Sequence, residues 1–157
     1  MRKRVIPRET PETPDEDQHW LDLEQLVQAE LTSEEAGYPI EAGLGLQAGA
    51  GWRAQQFGKQ TIRLLFDEPH RIRRIRLVFE ENNRERTQEF VLRWSPDGGA
   101  SWREIVRQQY NFSPPDSCRE VEDYAVDIDG LTLLELDIIP DISGGEVRAS
   151  LAQLRLA

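Results

Sequence analysis

The sequence predicts an all-β protein folded as an antiparallel β-sandwich of about eight strands. Apolar and polar residues alternate over most of the chain after residue 60, which is typical of strands buried on one face. Turn-forming residues separate these runs at short intervals. The 157 residues are enough for one domain with its own core. We therefore expect a flexible tail over residues 1–17 and a single β-sandwich domain over residues 18–157.

The chain before residue 60 is less regular. Proline alternates with charged residues in the first 17 positions, and such a stretch buries too little apolar surface to offset the entropy of ordering it. The next segment, residues 21–31, fits the spacing of either a helix or a strand. We expect a strand over residues 25–32, followed by a helical turn at residues 33–36.

The regular part of the chain divides into strands by its period of two. In the first strand Ile62, Leu64 and Phe66 share one face, and the later strands repeat this alternation. The predicted strands are residues 61–66, 72–80, 88–95, 102–110, 124–128, 131–139 and 152–156. The dipeptide Asp129–Gly130 predicts a tight turn between two of them.

Counting strand directions separates two ends of the predicted sandwich, because each connection in an antiparallel sheet reverses the chain. We call one the short-turn end; it holds residues 67–71, 96–101 and 129–130. We call the other the long-loop end; it holds residues 81–87, 111–123 and 140–147. Binding residues concentrate on loops held by a rigid scaffold, so the long-loop end is the candidate functional end.

Charge excludes several classes of protein. The formal net charge is -10, and an acidic surface repels phosphate backbones, so we expect no nucleic-acid partner. Residues 52–107 are an exception, with 12 basic and 8 acidic residues. We interpret this arginine-rich stretch as cross-strand Arg–Glu pairs on a solvated sheet face.

Cysteine and hydropathy limit the class further. A single cysteine, Cys118, excludes an internal disulfide and every zinc motif built on paired cysteines. No apolar run is long enough to span a membrane. The N-terminus starts basic but lacks the apolar segment of a signal peptide, so a cytoplasmic protein is expected.

Two segments carry a resemblance to a known family. Residues 51–81, GWRAQQFGKQTIRLLFDEPHRIRRIRLVFEE, and residues 89–105, EFVLRWSPDGGASWREI, resemble the discoidin, or coagulation-factor type C, domain. The resemblance implies a galactose-binding-domain-like β-sandwich in jelly-roll order. It also implies ligand binding at loops on one end, commonly of glycans and sometimes of lipids or proteins. The disulfide typical of the family cannot form with Cys118 alone, which fits an intracellular or bacterial relative.

The loop chemistry at the long-loop end suits a sugar. Aromatic faces stack on sugar rings, while amides and guanidinium groups bind hydroxyl or carboxylate oxygens. The predicted ligand-binding residues are Trp52, Arg53, Asn82, Arg84, Arg86, Tyr110 and Asn111.

The competing interpretation of these residues is structural. Trp52 and Phe112 would close the end of the core, and Arg84 and Arg86 would pair with neighbouring glutamates.

No catalytic constellation is recognisable. The carboxylates near the long-loop end form no marked pair; they are Glu80, Glu81, Glu85, Asp141 and Glu146. The two histidines, His19 and His70, lack an expected partner, and both are interpreted as surface residues. Residues 95–102, SPDGGASW, match the Asp-box pattern that sialidases repeat across propeller blades, but here it occurs once. We interpret it as a structural turn.

Many sandwiches of this type hold a cation near the loop that enters the first strands. Glu41 and the backbone carbonyls of residues 43–46 are the candidate ligands here, but one carboxylate is too few for a hard cation. No cofactor or metal is therefore predicted. The expected function is a non-catalytic, lectin-like module that binds a glycan or another small polyol. The alternative is an intracellular protein–protein interaction domain on the same fold.

Overall fold

The computed structural model describes residues 1–4, 19–47 and 49–157. Most of the tail expected over residues 1–17 lies outside the described residues. The elements in chain order are α1 (Leu23–Leu26), β1 (Val27–Leu31), α2 (Ile40–Leu44), β2 (Trp52–Phe57), β3 (Gln60–Glu80), β4 (Arg86–Ser95), β5 (Arg103–Phe112), β6 (Arg119–Ile139), β7 (Arg148–Leu151) and β8 (Gln153–Leu156). Within the described residues, no helix is long and apolar enough to cross a membrane.

The first part of the described domain differs in detail from expectation. The predicted strand over residues 25–32 is present as β1, but a helical turn, α1, precedes it. The helical turn predicted at residues 33–36 was wrong. The Ser33 hydroxyl donates to the Gln60 side chain (2.7 Å), and its carbonyl accepts from Trp52 Nε1 (3.1 Å), which ties this segment to β2 and β3. The helix lies further on, at α2.

Two of the predicted turns are corners inside continuous strands. β3 and β6 pair with each other from Gln60↔Ile138 to Glu80↔Arg119. The turns expected at residues 67–71 and at Asp129–Gly130 were therefore wrong as hairpins. Register shifts fall between Leu65 and Arg74 of β3, where the paired strands bend together.

The bend folds the β3–β6 ribbon into both layers of a sandwich. Glu89 of β4 pairs with Ile139 at one end of β6, while the adjacent Gln88 donates to Glu120 near the other end (3.2 Å). A straight strand would hold these two β6 positions about 60 Å apart. Each half of the ribbon therefore belongs to a different layer.

One layer contains β1, the first half of β3, the second half of β6, β4 and β5. The other contains the second half of β3, the first half of β6, and β8. β2 and β7 form a small separate sheet. The Phe79 and Phe90 rings meet between the layers, with centroids 5.2 Å apart. The predicted antiparallel sandwich of about eight strands is confirmed.

The alternation of buried and exposed residues along the strands places the core between the layers. Leu31, Ile62, Leu136 and Leu92 form one continuous cross-strand row on the inner face of the first layer. All but Leu31 are fully buried, and Leu31 packs against them. Burial of such a row removes apolar surface from water, which is the main stabilising term of the fold.

The outer face of the first layer confirms the interpretation of the arginine-rich stretch. Arg63 Nε lies 2.8 Å from Glu135, and Arg93 bridges Glu135 (3.3 Å) and Asp137 (2.7 Å) across the strands. Cross-strand pairs elsewhere on the sheets are Arg71–Asp127, Arg74–Asp123 and Arg107–Glu89. The arginines of these pairs therefore neutralise carboxylates of β4 and β6 and do not form a free cationic surface.

The hairpin between β4 and β5 is held by the Asp-box residues. The Asp97 carboxylate accepts from the Ser101 amide (2.8 Å), the Ser101 hydroxyl (2.7 Å) and the Ser95 hydroxyl (2.7 Å). These hydrogen bonds lower the pKa of Asp97 to about 2. The Gly98 amide donates to Thr132 next to the β6 corner, so this turn lies at the short-turn end. The structural interpretation of the motif is confirmed.

Candidate functional site

Three loops meet at the long-loop end, as the direction count predicts. Arg84 Nη1 donates to the Glu146 carbonyl (3.2 Å), and the Ile142 amide donates to the Thr87 carbonyl (2.9 Å). The Thr87 hydroxyl donates to Asn111 Oδ1 (2.7 Å). Residues 81–87, 111–118 and 140–147 therefore form one surface.

An open pocket lies on this surface, with a volume of about 280 Å³. Its lining combines an aromatic ring, arginines, amides and carboxylates. The lining residues are Arg53, Phe57, Glu80, Glu81, Asn82, Asn83, Arg84, Arg86, Glu146, Val147, Arg148 and Ser150. We call it the Phe57 pocket.

The structure brings four of the seven predicted site residues to the Phe57 pocket: Arg53, Asn82, Arg84 and Arg86. Asn111 lines a neighbouring hollow instead, and its side-chain oxygen is engaged by Thr87. Tyr110 lines neither, because its hydroxyl bonds to Ser117 (2.7 Å) and to the Arg119 carbonyl (3.1 Å).

Trp52 takes the competing, structural role. Its side chain is 1% exposed within the core, and its indole N–H is satisfied by the Ser33 carbonyl. The expectation that Trp52 stacks on a ligand was therefore wrong. The alternation of β2 explains this, since Trp52 and Ala54 point inward and are both buried.

The expectation that Arg86 binds a ligand also needs correction, because its guanidinium is buried and supports the loops from below. Its side chain is 1% exposed and donates to Glu81 (2.7 Å) and to the Pro140 carbonyl (2.7 Å). The guanidinium also stacks on the buried ring of Phe112 (4.6 Å). Arg86 therefore joins two of the loops from below, as the structural interpretation of this residue expects.

Glu81 is bound into the same arrangement. Burial alone would raise its pKa, but the hydrogen bond from Arg86, the backbone amides of Asn83 and Arg84, and the Arg86 charge together hold the pKa below its usual value. Glu81 is consequently ionised at neutral pH.

A buried carboxyl lies beneath these loops. Glu120 Oε1 accepts from Gln88 Nε2, while Oε2 has no hydrogen-bond partner in the described part of the chain. Burial, and then the neighbouring Glu122 carboxylate, raise the pKa of Glu120 to about 8. The polar series Glu81–Arg86–Gln88–Glu120 thus runs from the pocket into the sandwich.

Two residues of the pocket were missed from the sequence, Phe57 and Arg148. They are direct cross-strand partners on β2 and β7, and the guanidinium lies 4.8 Å from the ring centroid. Phe57 remains 48% exposed, which is unusual for a large aromatic side chain.

A sequence signal for Phe57 existed. With Trp52 and Ala54 facing inward, the period of two places Phe57 on the outer face together with Arg53. The chain then turns at Gly58, whose φ is +82° and whose amide donates to the Val147 carbonyl (2.9 Å). This turn holds the ring at the rim of the long-loop end.

Arg53 lies on the same outer face of β2. Its guanidinium stacks over the Tyr38 ring (4.2 Å) and lies 3.6 Å from the Glu35 carboxylate. Its side chain is half-exposed, so it retains donors toward the pocket.

The residues considered for a cation do not fit one well. Glu41 lines a separate hollow with Asp22 and Glu24, but the Leu46 carbonyl accepts from Arg155 Nη2 (3.1 Å). A guanidinium therefore already supplies positive charge to this loop. Among the described residues, no group of three or more His, Cys, Asp or Glu side chains could hold a metal ion.

The other reactive side chains have contacts of their own. Glu80 pairs with Arg119 (3.7 Å), and Cys118 is a half-buried free thiol. The His70 ring contacts the Glu68 carbonyl (2.8 Å) and the Phe66 ring at the β3 corner.

Comparison with known proteins identifies the fold. No protein-family model matches the chain. No curated protein sequence matches it either. Solved structures do match over most of their length.

Two of the similar structures come from Clostridium perfringens. The family 32 carbohydrate-binding module of NanJ in complex with galactose superposes with a TM-score of 0.66 at 14% identity, over 87% of this chain and 96% of that one. A family 32 module in complex with GalNAc-β-1,3-galactose gives 0.65 at 17% identity, over 88% and 99%.

An F5/8 type C domain from Bacteroides fragilis gives a TM-score of 0.60 at 11% identity, covering 87% of this chain and 93% of that one. The discoidin-like, galactose-binding-domain-like fold implied by the sequence resemblance is therefore confirmed for this chain.

Proposed function

We propose that this chain is a non-catalytic carbohydrate-binding module that holds a glycan in the Phe57 pocket. The observation that carries the proposal is Phe57 itself, a half-exposed aromatic ring at the rim of the long-loop end. An aromatic face of this kind covers the apolar face of a sugar ring. Arg53, Asn82 and Arg84 offer donors around it for hydroxyl oxygens.

The similar structures support this proposal. Their descriptions include a module in complex with galactose, one in complex with GalNAc-β-1,3-galactose and a pectin-binding module. Fold alone does not establish a ligand, and the chemistry of the pocket is the main support for this proposal.

The chemistry of Glu81 supports a non-catalytic role. Glycoside hydrolysis requires two carboxyl groups, one of which donates a proton to the leaving group. Glu81 is held ionised by Arg86 and by backbone amides, so it is a poor proton donor at neutral pH. Its hydrogen bonds instead stabilise the loops.

The test is a Phe57→Ala variant. The wild-type protein is first applied to an array of neutral and acidic glycans, and the best ligand is then titrated by calorimetry. We expect Phe57→Ala to weaken binding about tenfold, because an aromatic contact contributes roughly 0.5–1.5 kcal/mol beyond its buried area. The melting temperature should change little, since the ring is half-exposed.

The matched control is Trp102→Ala. Trp102 is 37% exposed and adjoins the hairpin at the short-turn end, away from the pocket. This variant should bind like the wild type. Absence of any glycan binding by the wild type, or equal affinity of the Phe57→Ala variant, would contradict the proposal. Capture of a protein through the same surface would favour the interaction-domain alternative.

A further inference from the structure

We propose that the Phe57 pocket selects glycans that carry a carboxylate, the uronic-acid class, through the guanidinium groups of Arg84 and Arg148. This inference rests on the proposed glycan-binding function and specifies its ligand class. The ligand's carboxylate would lie between or beside the two guanidinium groups, with the sugar ring against Phe57.

Arg84 and Arg148 differ from eight other arginines of this chain. Arg53, Arg63, Arg71, Arg74, Arg86, Arg93, Arg107 and Arg119 each pair with a carboxylate. Within the described residues Arg84 and Arg148 make no ion pair, although the chain carries a net charge of -10. Two guanidinium groups that lack a carboxylate and line one pocket of so acidic a protein indicate a site for an external anion.

Both guanidinium groups are anchored by a backbone carbonyl at the pocket. Arg84 Nη1 donates to the Glu146 carbonyl (3.2 Å), two residues before Arg148. Arg148 Nε donates to the Gln55 carbonyl (3.1 Å), and its guanidinium stacks on Phe57. Each contact uses one of the five N–H donors of an arginine, so both retain donors for a ligand.

The carboxylates that line the pocket leave this positive charge largely uncompensated. Glu81 is paired with Arg86 at 2.7 Å, and Glu80 lies 3.7 Å from Arg119. Glu146 is the lining carboxylate that has no ion pair within the described residues, and it lines the same pocket as two unpaired guanidinium groups. The unpaired groups therefore sum to one positive charge.

A planar carboxylate fits this arrangement better than a hydroxyl group does. The guanidinium fork binds a carboxylate through two parallel hydrogen bonds, and charge-assisted hydrogen bonds are about twice as strong as neutral ones. Glu146 remains as an acceptor for sugar hydroxyls. Because the Arg148 guanidinium lies over one face of Phe57, the sugar would contact the part of the ring that stays exposed, with the charged group next to it.

The experiment compares two probes with the same sugar chain, one with charged carboxylates and one with these groups methyl-esterified. Trigalacturonic acid and its fully methyl-esterified form are titrated against the wild-type protein by calorimetry, together with a neutral galacto-oligosaccharide. We expect the acid to bind at least about tenfold more tightly than the ester, because a hydrogen bond to a charged group is replaced by a weaker neutral one. Raising the salt concentration should weaken binding of the acid only.

Variants assign the effect to the two arginines. Arg84→Gln and Arg148→Gln should each weaken binding of trigalacturonic acid about tenfold and leave the affinity for the ester nearly unchanged. The matched control is Arg103→Gln, because Arg103 also stacks on an aromatic ring, Trp94 (5.0 Å), but adjoins the opposite end. This control should bind both probes like the wild type.

The outcomes separate the two proposals. Equal affinity for acid and ester, with binding lost in Phe57→Ala, would overturn the uronic-acid inference and leave the glycan-binding function standing. A failure of the wild type to bind any of the three probes or any glycan on the array would overturn both. The comparison of acid with ester uses the wild type alone, so it holds even if a variant does not fold.

Discussion

Glu120 presents the strongest conflict between a single residue and its surroundings. It is buried between the layers, with one oxygen bonded to Gln88 and the other without a partner in the described residues. A carboxylate in this position loses its hydration, and Glu122 adds repulsion. The neutral, protonated form is therefore favoured in the folded protein.

This residue predicts a pH dependence of stability. The pKa of Glu120 rises from its usual 4.5 to about 8 on folding, so the folded state binds the proton more tightly than the unfolded chain. Its contribution is complete below pH 4.5 and is lost as the pH rises through about 8. We expect Glu120→Gln to be more stable than the wild type at pH 9, by about 1–3 kcal/mol, the range for a buried polar group without a partner.

Urea unfolding between pH 5 and pH 9 measures this effect. Glu30→Gln is the control, because Glu30 lies exposed on β1 and its substitution should leave the pH profile unchanged. A Glu120→Gln variant that loses stability in parallel with the wild type would argue against a neutral Glu120.

At the residue scale, the sequence predicts the end of the sandwich that holds the candidate pocket better than it predicts the residues that line it. Arg53, Asn82 and Arg84 line the pocket as expected. Trp52 and Phe57 are both aromatic residues of β2, yet only one is exposed. Which of the two faces the core depends on which face of β2 packs against the rest of the sandwich. The sequence of β2 alone does not fix this.

The β4–β5 hairpin is an element whose geometry depends on one side chain. Asp97 accepts three hydrogen bonds from Ser95 and Ser101 and so holds the turn closed. Asp97→Ala should lower the melting temperature by a few degrees at neutral pH, because it removes a charged acceptor from turn amides and hydroxyls. Ligand affinity should not change, since the hairpin lies at the short-turn end.

The pH dependence of this element has the opposite sign to that of Glu120. The pKa of Asp97 falls from 3.8 to about 2 on folding, so its contribution is present above pH 3.8 and is lost as the pH falls through about 2. The melting temperatures of the wild type and of Asp97→Ala should therefore differ at pH 7 and become similar at pH 2. Asp129→Ala, at an exposed aspartate of the β6 corner, serves as the comparison; an equal loss in both variants would contradict the role of the turn.

The sequence could not distinguish a hairpin from a corner at the element scale. Gly130 adopts a φ of +77°, a conformation that suits both a tight turn and a bend within a strand. Both interrupt the alternation of buried residues in the same way. The loops still gather at the predicted end, because a corner that carries a strand into the opposite layer reverses the direction of the chain as a hairpin does.

At the scale of the whole molecule, Arg155 links the last strand, β8, to the loop that follows α2. Its Nη2 donates to the Leu46 carbonyl across 109 residues, and the side chain is largely buried in β8. We expect Arg155→Gln to lower the free energy of unfolding by about 1.5–3 kcal/mol, the range for a hydrogen bond to a charged group.

The same contact predicts that the wild-type protein needs no calcium. The Arg155 guanidinium already donates a hydrogen bond to the Leu46 carbonyl. Addition of calcium chloride or of a chelator should therefore leave the melting temperature unchanged. Arg103→Gln, which removes an arginine at another place, is the control for the Arg155→Gln variant. A rise in the wild-type melting temperature with calcium would contradict the prediction.

The global features were the most predictable from sequence. Antiparallel pairing and the end that gathers the loops follow from alternation and connection length, which are properties of many residues together. The number of strands agrees although β3 and β6 each join two predicted strands, because β2 and β7 were not predicted. The arginine-rich stretch likewise resolves into pairs such as Arg63–Glu135. The Arg148–Phe57 pair could not be anticipated, because its two strands are separated by 90 residues of chain and meet only through tertiary structure.

The β3–β6 ribbon also has a consequence for the order in which the molecule assembles. Its partners are closest in sequence at Glu80↔Arg119, where the Glu81 amide also reaches the Cys118 carbonyl (2.8 Å), and farthest apart at Gln60↔Ile138. Closing a loop costs more entropy as it lengthens, and distant pairings slow folding. The β4–β5 hairpin lies inside the shortest of these loops, so the ribbon is expected to zip outward from it. The region around Glu81 and Arg86 would then be in place before the corners turn and the second layer closes.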